Sequence, residues 1–372
     1  MSSVPEISDI VALDGTSSDN FGSSASLSGN LLVVGAPYKN SYRGETYIFD
    51  CSIPTNCSQA SVITELASNI NNFFGASVSA SGNLVVIGSP GANSNLGQVY
   101  LYNCANFANC ILQSRLVAIN GTSTDQFGWQ TAISGNLIVV GAAGRNSNRG
   151  QVSLFDCTNP TACFQSSSLV ASDGSSGDYF GFSVALSGYW VLIGANGHYS
   201  AGEAYLFDCT ISTACFQASI LTAPDSAVGD KFGSAVAISG NLLVISSPAK
   251  SSNKGVVHLF YCSISTYCTL ISTIFAAGGL AGDQFGYSLS IFQSLIAVGA
   301  PTQNLGMGTA YLFSCSIGSG CLQVAQLQAS DGVLGDNFGT STSISSNKIA
   351  VGAPNQNLGR GKEYLFQGLK QI

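Results

Sequence analysis

Short apolar runs recur along the chain, Leu31-Leu-Val-Val34 being the first, each bounded by small and polar residues with no helical period between them. A run that is continuously apolar over so few residues reads as a strand buried on both faces. Each run has the same three neighbours. A first strand, as in Phe180-Gly-Phe-Ser-Val-Ala-Leu186, precedes it across a Ser-Gly-Asn type turn such as Ser28-Gly29-Asn30, a two-residue hairpin signal. A third strand, as in Ala204-Tyr-Leu-Phe207, follows it and runs into a cysteine. A fourth leaves a second cysteine, as in Cys163-Phe-Gln-Ser-Ser-Ser-Leu-Val-Ala171, and ends in an Asp-Gly turn. The pattern predicts an all-β chain.

The period of this pattern sets the architecture. Phe-Gly begins at Phe21, Phe74, Phe127, Phe180, Phe232, Phe285 and Phe338, spaced 53 residues apart with a single step of 52. Fourteen residues after each Phe comes a small-residue step, Gly35-Ala36-Pro37 in the first copy, and then a marker glycine: Gly44, Gly97, Gly150, Gly202, Gly255, Gly308, Gly361. Seven copies of four strands fill residues 1–372 as one domain, at about 10–60, 61–113, 114–166, 167–218, 219–271, 272–324 and 325–372. A seven-bladed β-propeller is the expectation, because a ring of blades leaves only short, protected edges. The last copy stops after its third strand, Tyr364-Leu-Phe366, while Ile10-Val-Ala-Leu13 before Asp14-Gly15 matches the end of a fourth. The N-terminal strand, within residues 4–13, is therefore expected to complete the last blade and close the ring.

The twelve cysteines form six pairs of one spacing: Cys51/Cys57, Cys104/Cys110, Cys157/Cys163, Cys209/Cys215, Cys262/Cys268 and Cys315/Cys321. An even count at constant spacing reads as a disulfide framework, one bridge across each third-to-fourth-strand hairpin, and such bridges persist outside the reducing cytosol. The seventh is missing where the chain ends cut the hairpin. Zinc would need four converging ligands, and only His198 and His258 are available to help cysteine pairs so far apart. Met1–Asp9 has neither a positive n-region nor an apolar h-region, so the expectation of an extracellular location carries with it a secretory signal already removed.

Phe-Gly, then Gly-Ala-Pro fourteen residues on, then a glycine opening a Tyr-x-Phe strand: over essentially the whole chain this resembles the FG-GAP repeat of the integrin α-subunit head, a seven-bladed propeller. The form here is most similar to FG-GAP repeats of secreted, non-animal surface proteins. Integrin blades carry Asp-rich calcium loops between first and second strands. The equivalent turns here, among them Ser81-Gly82-Asn83 and Ser187-Gly188-Tyr189, cannot supply the six to eight oxygens that calcium takes, so no calcium site carries over. The Asp two residues before Phe (Asp19, Asp125, Asp178, Asp230, Asp283, Asp336; Asn72 in the second copy) is expected to accept hydrogen bonds from turn amides.

Charge narrows the function classes. Only 8% of residues are charged and the net charge is -7, which argues against nucleic-acid binding. No apolar stretch reaches eighteen residues, so no membrane insertion is expected. With two His, five Glu and paired cysteines, no nucleophile, base and orienter set can be assembled, and neither catalysis, cofactor nor metal is expected. The strand order puts fourth-to-first and second-to-third loops on one face of the ring, where ten of the nineteen acids and seven of the twelve bases fall. They read either as exposed ion pairs or as a polar ligand platform, with Arg145, Arg149, His198 and Tyr199 the least repeat-like patch. His258, inside a third strand, reads as a packed or edge histidine. Trp129 and Phe182, directly after Phe-Gly, could stack on sugar rings, but their parity with Phe127 and Phe180 favours packing between blades. The opposite face is expected to be nearly uncharged, with little beyond Glu65 and Arg115 on the outer strands. Its cover would be neighbouring subunits or glycans, for which Asn56 and Asn120 are acceptor sequons. The leading expectation is a secreted adhesion or ligand-binding module that meets a glycan or protein through its charged loops. A structural subunit of an extracellular filament or coat, packed against copies of itself, comes second, and a polysaccharide-active enzyme third.

Overall fold

The computed structural model describes residues 4–65 and 69–367. Its strands form seven four-stranded antiparallel sheets arranged as a ring, as the repeat predicts. In blade 1, β2 (Ser24–Ser28) lies innermost, followed by β3 (Leu31–Ala36), β4 (Glu45–Asp50) and β5 (Ser58–Ile63) at the rim. Every residue of β3 is buried, which is why its sequence has no polar alternation. The hydrophobic core is divided into layers between adjacent blades. One such layer joins Val139, Val152 and Leu154 of blade 3 to Phe180, Val191 and Tyr205 of blade 4.

The motif residues make these layers close. All seven Phe of Phe-Gly are fully buried, and Phe180 meets Tyr205 edge-on at 5.4 Å between ring centroids. The glycines mark where backbones of adjacent blades touch. A Cβ on Gly141 would lie 2.2 Å from the Gly181 carbonyl oxygen, and one on Gly150 2.0 Å from that of Phe180. Phe-Gly itself is not strand, contrary to the sequence reading. The Phe182 amide donates to the Tyr179 carbonyl (2.9 Å) in a turn, and the first strand of blade 4 starts at Ser183. Next to the turn, Ser24 Oγ donates to the Gly75 carbonyl of the following blade (2.8 Å), and Ser341 Oγ to Gly22 in the same way across the closure (2.8 Å).

The six disulfides form with the expected pairing: Cys51–Cys57, Cys104–Cys110, Cys157–Cys163, Cys209–Cys215, Cys262–Cys268 and Cys315–Cys321, and no described cysteine is free. The two halves of each bridge differ in depth. Cys51, Cys104, Cys157, Cys209, Cys262 and Cys315, which end the third strands, are buried in the layers between blades. Cys57, Cys110, Cys163, Cys215, Cys268 and Cys321, which open the fourth strands, are half-buried and pack against the edges of those layers. Each bridge thus ties a partly exposed rim strand to a residue fixed in the core. The cysteine loops also couple blades: Ser114 Oγ donates to Pro160 O and Ser167 Oγ to Ser212 O, each reaching the loop of the next blade (2.7 Å).

The ring closes as expected, β1 (Glu6–Ile10) pairing antiparallel with the last strand, Lys362–Gln367. The face carrying the cysteine loops is less bare than its sequence suggests. Asp50, Asp156 and Asp208 stand just before the first cysteines and accept from the amides of Ser52, Thr158 and Thr210 at 2.9, 2.9 and 3.0 Å. The Thr158 hydroxyl and then its amide hold the Asp156 carboxyl below the usual carboxylate range. Lys348 lies on this face as well, bonded to Asn30 and to the Cys51 carbonyl.

Candidate functional site

The fourth-to-first loops and the second-to-third loops meet on one face, and in each blade they enclose a polar cluster. The Asp before Phe-Gly accepts a turn amide in all six copies that have it, as with Thr122 N to Asp125 Oδ2 (3.0 Å) and Val333 N to Asp336 Oδ2 (2.8 Å). The same carboxylates meet the bases of the second-to-third loops. Lys39 Nζ lies 3.1 Å from Asp19, Lys250 2.7 Å from Asp230, and Arg145 3.5 Å from Asp125. These pairs are not the exposed ring that charge counting suggests: the Lys39 and Asp19 side chains are each 6% exposed. A buried pair adds little net stability, yet removing one partner strands the other charge. Glu65, assigned from sequence to the outer rim, follows β5 and belongs to the blade-2 cluster, bonded by Asn72 Nδ2 (2.6 Å) and Tyr100.

Each second-to-third loop makes a left-handed turn, Asn146 (φ 52°), Ser147 (φ 58°) and Asn148 (φ 63°) in blade 3. Asn and Ser dominate because short polar side chains tolerate this region best. In blade 4 the turn is one residue shorter and holds His198-Tyr199-Ser200, with His198 buried and Tyr199 72% exposed. His198 Nδ1 lies 2.7 Å from Asp178 Oδ2, while Nε2 faces Asp173 Oδ2 at 3.8 Å and Glu203 Oε2 at 3.7 Å. Burial raises the Glu203 carboxyl above the usual range against the lowering effect of His198. Asp173, His198 and Glu203 thus bring one ring nitrogen and two carboxylate oxygens within 4.8 Å of one another. His258 occupies the place that Tyr205 holds in blade 4; it packs on Phe232 at 5.5 Å, and burial lowers its pKa.

The residues directly after Phe-Gly converge on the axis. Ser23, Ala76, Trp129, Phe182, Ser234, Tyr287 and Thr340, one from each blade, line a cavity of about 720 Å³ that opens on the charged-loop face. Trp129 is 42% and Tyr287 48% exposed. Their parity with the buried Phe does not apply, because the turn at Phe-Gly precedes the strand and redirects them to the mouth. Tyr38, Phe73 and Lys231 continue this lining outward, and Tyr38, Tyr42 and Phe73 form one aromatic group with centroids 5.4–6.0 Å apart.

The four residues singled out by sequence do not form one exposed patch. Arg145 turns inward, donating to Ile119 O (3.2 Å) and Asn120 O (2.8 Å) as well as pairing with Asp125. His198 is enclosed in the next blade, and only Arg149 and Tyr199 are exposed. The sequons Asn56 and Asn120 are both exposed. The signal for the mouth was present in the sequence as three aromatics among seven equivalent positions; what was missing was the direction in which they point.

No curated protein sequence matches the chain. The family model for the FG-GAP repeat does, seven times, at residues 5–49, 58–102, 111–155, 164–207, 216–260, 269–313 and 322–366. Each match runs from a fourth strand through the third strand of the blade that follows, so the repeat unit spans the layer between blades in which Phe-Gly and the two glycine steps meet. With the seven-bladed ring on one side and the seven matches on the other, the chain belongs to the FG-GAP repeat family.

Proposed function

We propose that the chain is a secreted or cell-surface module that binds a glycan or protein ligand on its charged-loop face, the ligand seating in the mouth of the ring. The observation that carries this reading is the aromatic lining. The exposed Trp129 and Tyr287 and the half-buried Phe182 stand at equivalent places around one concave cavity, with serine hydroxyls and Lys231 beside them. Flat apolar rings among a few polar groups suit the face of a sugar ring or an aromatic-rich peptide. The proposed activity is binding without turnover. The six disulfides favour an extracellular site of action, and Asn56 and Asn120 are offered as glycan carriers.

A second reading, a structural subunit of an extracellular filament or coat, is favoured by exposed apolar residues on the cysteine-loop side, among them Ile53, Ile111, Phe164, Ile211 and Phe216. Glycan arrays and electron microscopy of native material separate the two. For the first, dispersed rings that retain glycan or protein ligand are expected. Trp129→Ala or Tyr287→Ala should then lower affinity about 10- to 100-fold with no change in melting temperature, as for aromatic anchors elsewhere. Ordered polymers, with binding indifferent to both substitutions, would favour the second.

A further inference from the structure

The blade-4 cluster stands apart in its charge balance. Blade 1 has the same three acids, Asp14, Asp19 and Glu45, but Lys39 stands among them and donates to the Asp14 carbonyl at 2.8 Å and to Asp19 at 3.1 Å. Blade 5 places Lys250 there, 2.7 Å from Asp230, and blade 7 brings in Lys362, 2.7 Å from Asp331. Blade 4 gathers Asp173, Asp178 and Glu203 around His198, and no Lys or Arg pairs with them among the described residues. The Arg149 guanidinium lies against the adjoining Gly174. Three carboxylates and no permanent cation form an electrostatic deficit that a bound cation would fill.

The ring orientation indicates which cation. Asp178 Oδ2 at 2.7 Å suits a proton on His198 Nδ1, and in that tautomer the neutral ring presents its Nε2 lone pair to the opposite side. Nε2 is buried and has no hydrogen-bond partner among the described residues. It faces Asp173 and Glu203 nearly equally, at 3.8 and 3.7 Å, too far from either to be donating a hydrogen bond. The ammonium groups of the other blades close to hydrogen-bond distance on a carboxylate, Lys39 on Asp19 at 3.1 Å and Lys250 on Asp230 at 2.7 Å, whereas Nε2 closes on neither of its two. Tetrahedral zinc with N and O ligands near 2.0–2.2 Å sets neighbouring ligand atoms about 3.4 Å apart, so the two distances from Nε2 would contract by a few tenths of an ångström, and the three ligand atoms already lie within 4.8 Å of one another. Asp178 behind the imidazole and the Tyr205 hydroxyl, which donates to Asp173 (3.0 Å) and Glu203 (3.2 Å), supply the outer hydrogen bonds that orient metal ligands. Asp173 is the solvent-facing member and gives an ion its way in.

We propose that His198, Asp173 and Glu203 bind one divalent first-row transition ion, with Zn²⁺ the best match. An imidazole ligand favours such ions over Ca²⁺, which takes oxygen alone. The test uses substitutions that other blades already carry at the same places: His198→Lys as in Lys39, Glu203→Gln as in Gln151, and Asp173→Asn as in Asn120. The purified, chelator-stripped chain is titrated with Zn²⁺ by calorimetry and with Co²⁺ by visible absorption. One ion per chain is expected, together with a zinc-dependent rise in melting temperature. His198→Lys should fold normally and lose at least about 100-fold in affinity, and Asp178→Asn about 10- to 100-fold. If His198→Lys folds poorly, Glu203→Gln and Asp173→Asn carry the same test, each weakening Zn²⁺ binding and the Co²⁺ band. Wild-type chain that binds neither ion at about 1 mM, or that binds no better than these variants, would overturn the site.

Discussion

Six blades are closed by a disulfide hairpin, and the seventh is closed by the two ends of the chain. In blade 3 the rim strand leaves Cys163 and is tied covalently to its neighbour through Cys157. In blade 7 the rim strand β1 comes from the N-terminus and is held by backbone pairing, by Ile10 and Ala12 in the core, and by the Glu6 carboxylate on Ser330 N (2.9 Å) and Oγ (3.0 Å). Unusual buried polar groups gather at the same closure. Lys348 spends its ammonium on Asn30 Oδ1 (2.8 Å) and Cys51 O (2.7 Å) of blade 1. Glu363 is fully buried, both carboxyl oxygens lack partners among the described residues, and burial raises its pKa well above the usual value. A covalent loop holds its strand whatever the neighbouring side chains do, whereas a closure made of contacts depends on each of them.

The sharpest way to break this contrast is to delete residues 4–13. Loss of β1 exposes the core layer between blades 7 and 1, and urea unfolding followed by circular dichroism should show stability falling by more than about 4 kcal/mol or cooperativity lost. Replacing Cys157 and Cys163 together by Ala should cost roughly 2 to 2.5 kcal/mol by the chain-entropy account of so short a loop, leaving the fold intact. A loss as large as that of the deletion would show that covalent and non-covalent closures carry equal weight. Lys348→Ala leaves two acceptors unpaired and should cost about 1–3 kcal/mol in the same assay. The smallest expected effect is a gain. Glu363→Val installs the residue found at the equivalent places Val99, Val152 and Val257, and should stabilise by about 1 kcal/mol near pH 5.

That gain should depend on pH in a definite direction. Above the usual Glu value of 4.5 the unfolded chain has released the Glu363 proton while the folded chain keeps it. The folded state then binds more protons, and wild-type stability falls as pH rises, by at most about 1.4 kcal/mol per unit, until Glu363 ionises in place. Melting curves of wild type and Glu363→Val should therefore diverge between pH 5 and 7, and parallel curves would refute the assignment.

Much of the ring was legible in the residues. Constant spacing of Phe-Gly and of the cysteines gave blade number, disulfide pairing and the closing strand, because all three depend on recurrence and not on where a side chain points. The turn role of Asp178 and its equivalents was legible for the same reason. The site was less so. Period-two parity placed Trp129 between blades, but parity holds only within a strand, and the turn ending at Trp129 lies before the strand that starts at Thr131. Counting charges by loop put Lys39 and Asp19 on the correct face but not at the correct depth, since a count carries no information about burial.

Sequence alone therefore determined the number of blades, their strands and the covalent frame, all of which are local and repeated. Tertiary structure decided what is not repeated: which aromatics reach the axis, which carboxylates lose water, and that His198 turns a nitrogen without a partner toward Asp173 and Glu203. The physical reason is that these properties arise between loops brought together from different strands and blades, where side-chain direction and access to solvent are set by the packing of the ring and not by the spacing of residues along the chain.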